Sequence, residues 1–252
     1  MIVIKSDYEI DIMRVPCRLT SDLLRELASF IEPGLSTADV DRFCADYIKG
    51  AGMVPTFKDY EGFPGHVCVS VNEEIVHGIP SRKKILREGD IVSVDVGATY
   101  KGYTSDAART YPVGRVSERA QELIDVTRDS FFRGIAEARV GNRLYDISHA
   151  IQQRAEAAGF SVIRDFVGHG VGKNLHEDPQ IPNYGKAGEG PRLRKGMTLA
   201  VEPMIAEGTY DIDILPNNWT AVTADGTYAA HYENTIVITD GEPEILTLVE
   251  KG

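Results

Sequence analysis

The stretch LREGDIVSVD, residues 86–95, has a near copy later in the chain, LRKGMTLAVE at residues 193–202. The two stretches lie 107 positions apart, and each ends in an acid, Asp95 in the first and Glu202 in the second. The same offset aligns small residues outside them: Gly34 with Gly141, and Ala51-Gly52 with Ala158-Gly159. Chance similarity between two helix–strand units is the alternative, but matches in one register over such a span favour an internal duplication.

The hydrophobic pattern predicts helices followed by strands in each half of the chain. Predicted helices cover 6–31, 37–49, 117–139 and 143–158, and Pro16 should kink the first. Predicted strands cover 66–71, 91–100, 103–111, 160–167, 197–206, 219–224, 231–239 and 244–249. We therefore expect a single α+β domain of two related halves, about 1–112 and 113–252, packed about a pseudo-two-fold axis. Helices would cover one face of a curved, mainly antiparallel sheet.

Composition narrows the class of protein. The chain has 252 residues, 42% hydrophobic and 26% charged, with a net charge of −11. This acidic balance argues against nucleic acid as a partner. No stretch has the roughly 18 consecutive apolar residues of a membrane span, and the N-terminus lacks an apolar export region. Three widely spaced cysteines without a CxxC motif predict no disulfide framework. We expect a cytoplasmic protein, most simply a monomer.

Three glycines alternate with other residues in VGHGVGKNLHED, residues 167–178. A phosphate-binding P-loop requires GxxxxGK followed by Ser or Thr, but Asn174 follows Gly172-Lys173 here. The GxGxxG pattern fails as well. The glycines would instead let the backbone turn sharply and present His169 after a strand. A plain surface loop with two histidines remains the alternative.

Four acids lie in or beside apolar strands. Asp95 and Asp106 flank a predicted hairpin turn at Lys101-Gly102, and Glu202 and Glu233 lie in TLAVEPMI and HYENTIVIT. Each acid alone could be satisfied by hydrogen bonds in the core. Together with His169, however, they would be costly as isolated buried charges, and two divalent cations would remove that cost. Hard oxygen donors with one imidazole favour Mn, Fe or Co over a structural zinc site.

These residues and their surroundings resemble the type I methionine aminopeptidases. The similar motifs extend over essentially the whole chain: VSVNEEIVHGIP, GDIVSVDVG, GHGVG, LHEDPQIPNYG, GMTLAVEPM and YENTIVIT. The resemblance implies the duplicated pita-bread fold and five metal ligands, Asp95, Asp106, His169, Glu202 and Glu233. It implies that Asp95 and Asp106 chelate one ion, and that Asp106 and Glu233 bridge to a second one completed by His169 and Glu202. An activated water would then be the nucleophile.

The same resemblance implies roles for residues outside the ligand set. Glu202 would handle the proton of the nucleophile, and His77 and His176 would hydrogen-bond the scissile amide and the tetrahedral intermediate. The methionine pocket would be formed by Tyr60, Phe63, Cys68 and Trp219, although such a cluster could also be core packing. The expected activity is removal of the initiator methionine from nascent chains before a small second residue, with ribosome association following from that substrate.

Some positions depart from the family pattern, and other functions remain open. Leu175 precedes His176 where an aromatic residue often stands, and Phe57 occupies a position where some bacterial members have cysteine. Leu175 leaves the shape of the pocket undecided, whereas Pro16 concerns the first helix and not the chemistry. The alternatives are a proline-directed aminopeptidase or prolidase of the same fold, and a peptide-binding module without catalysis.

Overall fold

The computed structural model describes residues 1–248, in which a pair of helices followed by a run of strands occurs twice. The α-helices are α1 (Asp7–Phe30), α2 (Thr37–Gly50), α3 (Glu118–Ala136) and α4 (Leu144–Ala157). The strands before α3 are β1 (Val54–Pro55), β2 (Cys68–Val71), β3 (Glu74–Val76), β4 (Ile91–Tyr100) and β5 (Tyr103–Pro112). Those after α4 are β6 (Ser161–Val162), β7 (Gly168–Gly170), β8 (Glu177–Ile181), β9 (Thr198–Val201), β10 (Met204–Ala206), β11 (Ile212–Ile214), β12 (Ala221–Thr223), β13 (Ala229–His231), β14 (Asn234–Val237) and β15 (Glu244–Ile245).

The first helix begins at the capping box that the sequence predicts. The backbone N–H of Glu9 donates to the Ser6 side chain, and the backbone N–H of Ser6 donates to the Glu9 carboxylate. These bonds satisfy two N–H groups that a helix start leaves without partners. α1 then continues unbroken through Pro16, which is buried. All four predicted helices are therefore present, with ends within three residues of those expected.

The offset of 107 residues reappears in the backbone. α2 and α4 begin and end 107 positions apart. In the first half, Pro55 of β1 lies opposite Ala98 of β4. In the second half, Val162 of β6 lies opposite Ile205 of β10, which is the same pair moved by 107 positions. The two halves thus share strand register as well as sequence.

Strand pairs throughout the described residues are antiparallel. β4 pairs with β1, β2 and β5 in one sheet, and β15-β14-β9-β7-β8 form the largest sheet of the second half. The helices of each half pack against the strands of that half. Leu27 of α1 and Val40 of α2 join the core that contains Val94, while Phe131 and Ile147 of α3 and α4 join the core that contains Leu199. In residues 1–248, no helix has the length and apolar character needed to cross a membrane.

Two predicted strands are interrupted where their acids stand. The strand predicted at 197–206 is split into β9 and β10 around Glu202-Pro203, because proline has no N–H to continue the ladder. The strand predicted at 231–239 is limited to β14, and a break at Tyr232-Glu233 separates it from β13, which ends at His231. Placing Glu202 within a continuous strand was wrong, whereas Glu233 lies directly before the first residue of β14, in agreement with the prediction of an acid in or beside an apolar strand. Both lie at strand breaks, where a side chain can leave the regular alternation of the sheet.

Other strand predictions hold only in part. The strand predicted at 160–167 is limited to β6, and that at 219–224 to β12. The strand predicted at 244–249 is limited to β15, and its last position lies outside the described residues. Five short strands were not predicted: β1, β3, β7, β8 and β11. They have two to five residues each, too few for a hydrophobic period to become visible.

Candidate metal centre and adjoining cleft

The β4–β5 hairpin places two aspartates on one face. Its two-residue turn is Lys101-Gly102, with φ values of 48° and 77°, as expected for a tight hairpin turn. Asp95 lies opposite Ala108, and Asp106 lies opposite Gly97. Asp95 and Asp106 are therefore diagonal neighbours on adjacent strands, a spacing at which side chains can interact.

Glu202 and Glu233 approach these aspartates from the second half of the chain. The backbone carbonyl of Glu202 accepts a hydrogen bond from Nδ2 of Asn183 at 2.9 Å, which fixes the chain just before Pro203. Glu233 pairs across to the first half. Its N–H donates to the Ala108 carbonyl at 3.0 Å, and its carbonyl accepts from the Ala108 N–H at 3.3 Å. This cross-connection brings Glu233 to the face that bears Asp95.

His169 lies at the centre of β7, between the flanking glycines. The prediction that these glycines make a sharp turn was wrong, since none of the glycines in 167–172 has a positive φ. They serve close approach instead. A Cβ on Gly168 would lie 2.4 Å from a backbone oxygen of β9, and one on Gly170 would lie 2.2 Å from the carbonyl oxygen of Asp178. Only glycine lets β7 pack this tightly between its neighbours and carry the histidine inward.

The imidazole of His169 connects the two halves of the cluster. Its Nδ1 lies 2.9 Å from the carbonyl oxygen of Gly170, so Nδ1 must carry the proton that it donates. Its Nε2 lies 3.5 Å from Oδ2 of Asp106 and 3.5 Å from Oε1 of Glu202. Burial lowers the pKa of His169 to about 4. The neutral ring thus points a lone pair at two carboxylates, an arrangement that a shared cation would stabilise.

Within the described part of the chain, three of the four acids have an oxygen atom that lacks the hydrogen-bond partner a buried carboxylate needs. In residues 1–248, the buried Oδ1 atoms of Asp95 and Asp106 and the Oε1 atom of Glu233 accept no hydrogen bond. Burial raises the pKa of Asp95 to about 7, and burial together with neighbouring carboxylates raises the pKa values of Asp106, Glu202 and Glu233 well above normal. Two groups of three residues could each hold an ion, Asp95-His231-Glu233 and Asp106-His169-Glu233. Within each group, the three ligand atoms lie within 4.8 Å of one another. The donors present therefore fit divalent cations.

An apolar cleft opens beside this cluster, with an empty volume of about 800 Å³ including the solvent at its mouth. The predicted pocket residues all line it: Tyr60, Phe63, Cys68 and Trp219. The Phe63 and Trp219 rings meet edge to face with centroids 5.2 Å apart. Phe57 and Leu175, which depart from the family pattern, also lie in this wall and are buried.

His77 and His176 reach the same cleft from two loops. His176 packs on His169 with ring centroids 4.4 Å apart, and its Nδ1 lies 2.8 Å from the Tyr60 hydroxyl. His77 has a φ of 58°, unusual for a residue with a side chain, and its ring packs edge-on against Trp219. Burial lowers the pKa of His77 to about 4 and also lowers the pKa of His176. Both rings are therefore neutral near pH 7.

Comparison with known proteins identifies the family. The sequence profile of metallopeptidase family M24 matches residues 11–240. The chain belongs to metallopeptidase family M24. It is 54% identical to the methionine aminopeptidase of Clostridium acetobutylicum, over 99% of this chain and all of the relative. The crystal structure of the Thermotoga maritima methionine aminopeptidase superimposes with a TM-score of 0.96 at 51% identity, covering 98% of this chain and 99% of the other.

A more distant relative in structure shares the fold but is named for a different activity. The Xaa-Pro dipeptidase of Bacillus anthracis has a TM-score of 0.77 at 24% identity, and the match covers 99% of this M24 chain but 63% of the dipeptidase. At this identity the likeness concerns the pita-bread fold alone. The family and fold predicted from the motifs are confirmed, and the chain is a metal-dependent hydrolase.

One residue of this metallopeptidase was missed by the sequence reasoning. His231, on β13, is 1% exposed and lines the cleft beside the acids. Its Nε2 lies 3.7 Å from Oε2 of Glu233 and 3.8 Å from Oε2 of Glu202. Burial lowers the pKa of His231 to about 3. The available signal was its place two residues before Glu233, since alternate residues of an extended chain share a face.

Proposed function

We propose that this metallopeptidase removes the N-terminal methionine from nascent proteins and peptides whose second residue is small. The main support for this proposal is the position of the cluster of acids and histidines, which lines the same cleft as a set of apolar and aromatic side chains. The support from relatives is full-length identity of 54% to a protein named methionine aminopeptidase. A ribosome is the expected place of encounter with such nascent chains.

The proposed cofactor is a pair of divalent ions, Mn, Fe or Co, held by Asp95, Asp106, His169, Glu202 and Glu233. The two groups of ligand atoms overlap at Glu233, which suits a carboxylate shared between two positions. When bound, such a pair lowers the pKa of a water molecule and stabilises negative charge on the reacting oxygens. The protein's contribution is to hold the donors in place before ions arrive, through the strand breaks at Glu202 and Glu233.

Glu202 is the proposed acceptor of the proton released by the attacking water. The acceptor must start as the ionised carboxylate, and burial, which raises the pKa of this group, makes that carboxylate a stronger base. Its backbone is fixed by Asn183, and its Oε1 lies beside Nε2 of His169. A carboxylate positioned in this way can take the proton and later pass it to the leaving amine.

His176 is proposed to donate a hydrogen bond to the scissile carbonyl. If the Tyr60 hydroxyl donates to Nδ1 of His176, the proton of the neutral ring resides on Nε2, which is then a donor for substrate. His77 would act as a second polar contact from the opposite loop. Donors aimed at a developing oxyanion contribute strongly in a site that excludes water.

The proposed methionine pocket is the wall formed by Tyr60, Phe63, Cys68 and Trp219. Aromatic edges and a buried thiol are favourable contacts for a thioether, and burial raises the pKa of Cys68, so it stays uncharged. A second residue with a large side chain would meet the ring pair of His176 and Tyr60 at the mouth. Efficient hydrolysis of Met-Lys or Met-Phe peptides would contradict the preference for small second residues.

The remaining expectations follow from the architecture. The chain is proposed to be one catalytic domain built from the halves 1–112 and 113–252, supported by the shared strand registers. A reducing compartment, the cytoplasm, is proposed because Cys17, Cys44 and Cys68 are all free thiols and all buried. A monomer is the simplest assembly for a site built by a single chain.

The test uses protein stripped with a chelator and reloaded separately with Mn, Fe(II) or Co. Hydrolysis of Met-Ala-Ser is compared with that of Xaa-Pro peptides, and Asp106→Asn serves as the inactive control. Release of methionine only from the first peptide class, only after loading, is expected. Folded protein that binds ions but cleaves Xaa-Pro alone would favour the prolidase alternative, and tight peptide binding without cleavage would favour the binding module.

A further inference from the structure

The imidazole of His231 is almost completely buried. In residues 1–248, both Nδ1 and Nε2 are buried and form no hydrogen bond. The backbone of His231, by contrast, is satisfied, because its N–H donates to Oγ1 of Thr110 and its carbonyl accepts from the same hydroxyl. An imidazole buried without partners is costly, so a ligand that completes it is expected.

The ring lies close to two acids. Its Nε2 is 3.7 Å from Glu233 and 3.8 Å from Glu202, beyond hydrogen-bond distance from both. Repulsion from His77 and from the guanidinium of Arg109 opposes a positive charge on the ring. A neutral imidazole close to two carboxylates, yet beyond hydrogen-bond distance from both, has the spacing of ligands that share one cation.

Strand register gives an independent argument. In the first half, Asp106 lies opposite Gly97. In the second half, His231 lies opposite Met204, which is 107 positions after Gly97. His231 therefore occupies the position in its half that Asp106, a proposed ligand, occupies in the other.

We infer that His231 is a sixth protein ligand, which binds the ion held by Asp95 and Glu233. The ligand atoms of these three residues lie within 4.8 Å of one another. This inference rests on the proposed dinuclear site and adds a nitrogen donor to the ion position that otherwise has oxygen donors alone. Each ion would then have one imidazole, His231 on one side and His169 on the other. Nitrogen ligation shifts the preference of that position from Mn toward Co, Fe or Zn.

Proton NMR of the Co(II)-loaded holoenzyme tests the inference without measuring activity. Each imidazole bound to Co(II) gives a strongly shifted N–H resonance that disappears in D₂O. Two such resonances are expected for the wild-type protein and one for His231→Gln. The control is His149→Gln, which removes a half-buried histidine of α4 that donates to the Gly185 carbonyl. This variant should retain both resonances.

Calorimetric titration with Co(II) gives a second measurement. His231→Gln should bind one ion at least tenfold more weakly while the other site is unchanged, whereas Mn affinity should change less. One resonance in the wild-type protein, or an unaltered spectrum and titration in His231→Gln, would overturn the inference. A wild-type protein with both resonances and no methionine release would instead contradict the proposed function.

Discussion

Ala108 and Glu233 exchange both of their backbone hydrogen bonds, at 3.0 and 3.3 Å, across the boundary between the two halves. The two residues hold equivalent positions. Ala108 precedes Arg109, which lies opposite Val94, and Glu233 precedes the residue opposite Val201, 107 positions after Val94. A residue that pairs with its own equivalent is what a two-fold axis produces. The candidate metal cluster is thus located on this pseudo-axis, where each half can contribute ligands.

Arg109 stabilises this junction by contacts with both of its residues. Its half-buried guanidinium donates to the backbone carbonyls of Ala108 and Glu233 and to Oδ1 of Asn234, and it stacks 4.1 Å from the centre of the Tyr232 ring. Arg109→Met should lower the free energy of unfolding by about 3–5 kcal/mol, because charge-assisted hydrogen bonds are lost and buried oxygens remain. Urea denaturation of the ion-loaded protein measures this.

Arg115 offers a matched control, because its side chain is 98% exposed. Arg115→Met should change the free energy of unfolding by no more than about 0.5 kcal/mol. Equal effects of the two substitutions would show that the junction is not held by Arg109.

Asp95 provides a prediction on pH in the absence of ions. Burial raises its pKa from 3.8 to about 7 in the folded chain. Between these values the unfolded chain has lost the proton and the folded chain retains it, so this group lowers stability as pH rises from about 4 to 7. The buried histidines, whose pKa values are lowered, make stability rise with pH over the same range. A comparison between variants is therefore needed to isolate the effect of Asp95.

In chelator, Asp95→Asn and the wild-type protein should have similar Tm values at pH 4.5. At pH 7.5 the variant should be more stable by at least about 3 °C, which corresponds to about 1 kcal/mol for a chain of this size. Added Mn should raise the Tm of the wild-type protein and have a much smaller effect on Asp95→Asn. A Tm difference that does not change with pH would show that Asp95 is not strained by burial.

Substitution of His176 can distinguish an effect on the reaction from an effect on ion binding. His176→Ala should lower kcat/KM for Met-Ala-Ser by about 10²–10³-fold, the effect of removing one oxyanion donor. Ion affinity should remain unchanged, since His176 contacts His169 through ring packing alone. Tyr60→Phe removes only the bond to Nδ1 and should lower kcat/KM by about tenfold or less. Loss of ion binding in His176→Ala would assign the residue a structural role instead.

Gly78 supports the unusual backbone at His77. A Cβ on Gly78 would lie 2.2 Å from the carbonyl oxygen of Val69, so Gly78→Ala must displace the loop from β2. We expect a loss of at least about 2 kcal/mol of stability and reduced kcat/KM. Gly50, the last residue of α2, has open space around it, and Gly50→Ala should be neutral or stabilise by up to about 1 kcal/mol. Thermal denaturation of both variants, with peptide hydrolysis, makes the comparison.

Much of the site could be predicted because its signals are local. An acid such as Asp95 in an apolar strand, a glycine-flanked histidine and a repeated LR-x-G motif are each visible within ten residues. The proposed ligands Asp106 and His169 are 63 positions apart in sequence. The fold brings Oδ2 of Asp106 within 3.5 Å of Nε2 of His169. His231 was missed because its one local signal, a place two residues before Glu233, does not by itself distinguish a ligand from a histidine packed in the core.

The sequence by itself determined the family, the helices and the internal repeat, since these depend on hydrophobic period, capping residues and matched motifs. Only the tertiary structure decided that Glu233 follows a break between β13 and β14, why Gly168 and Gly170 are needed, and that His231 faces Glu202 and Glu233. Close approach between strands and the desolvation of a side chain depend on neighbours far away in the chain. No local pattern encodes them.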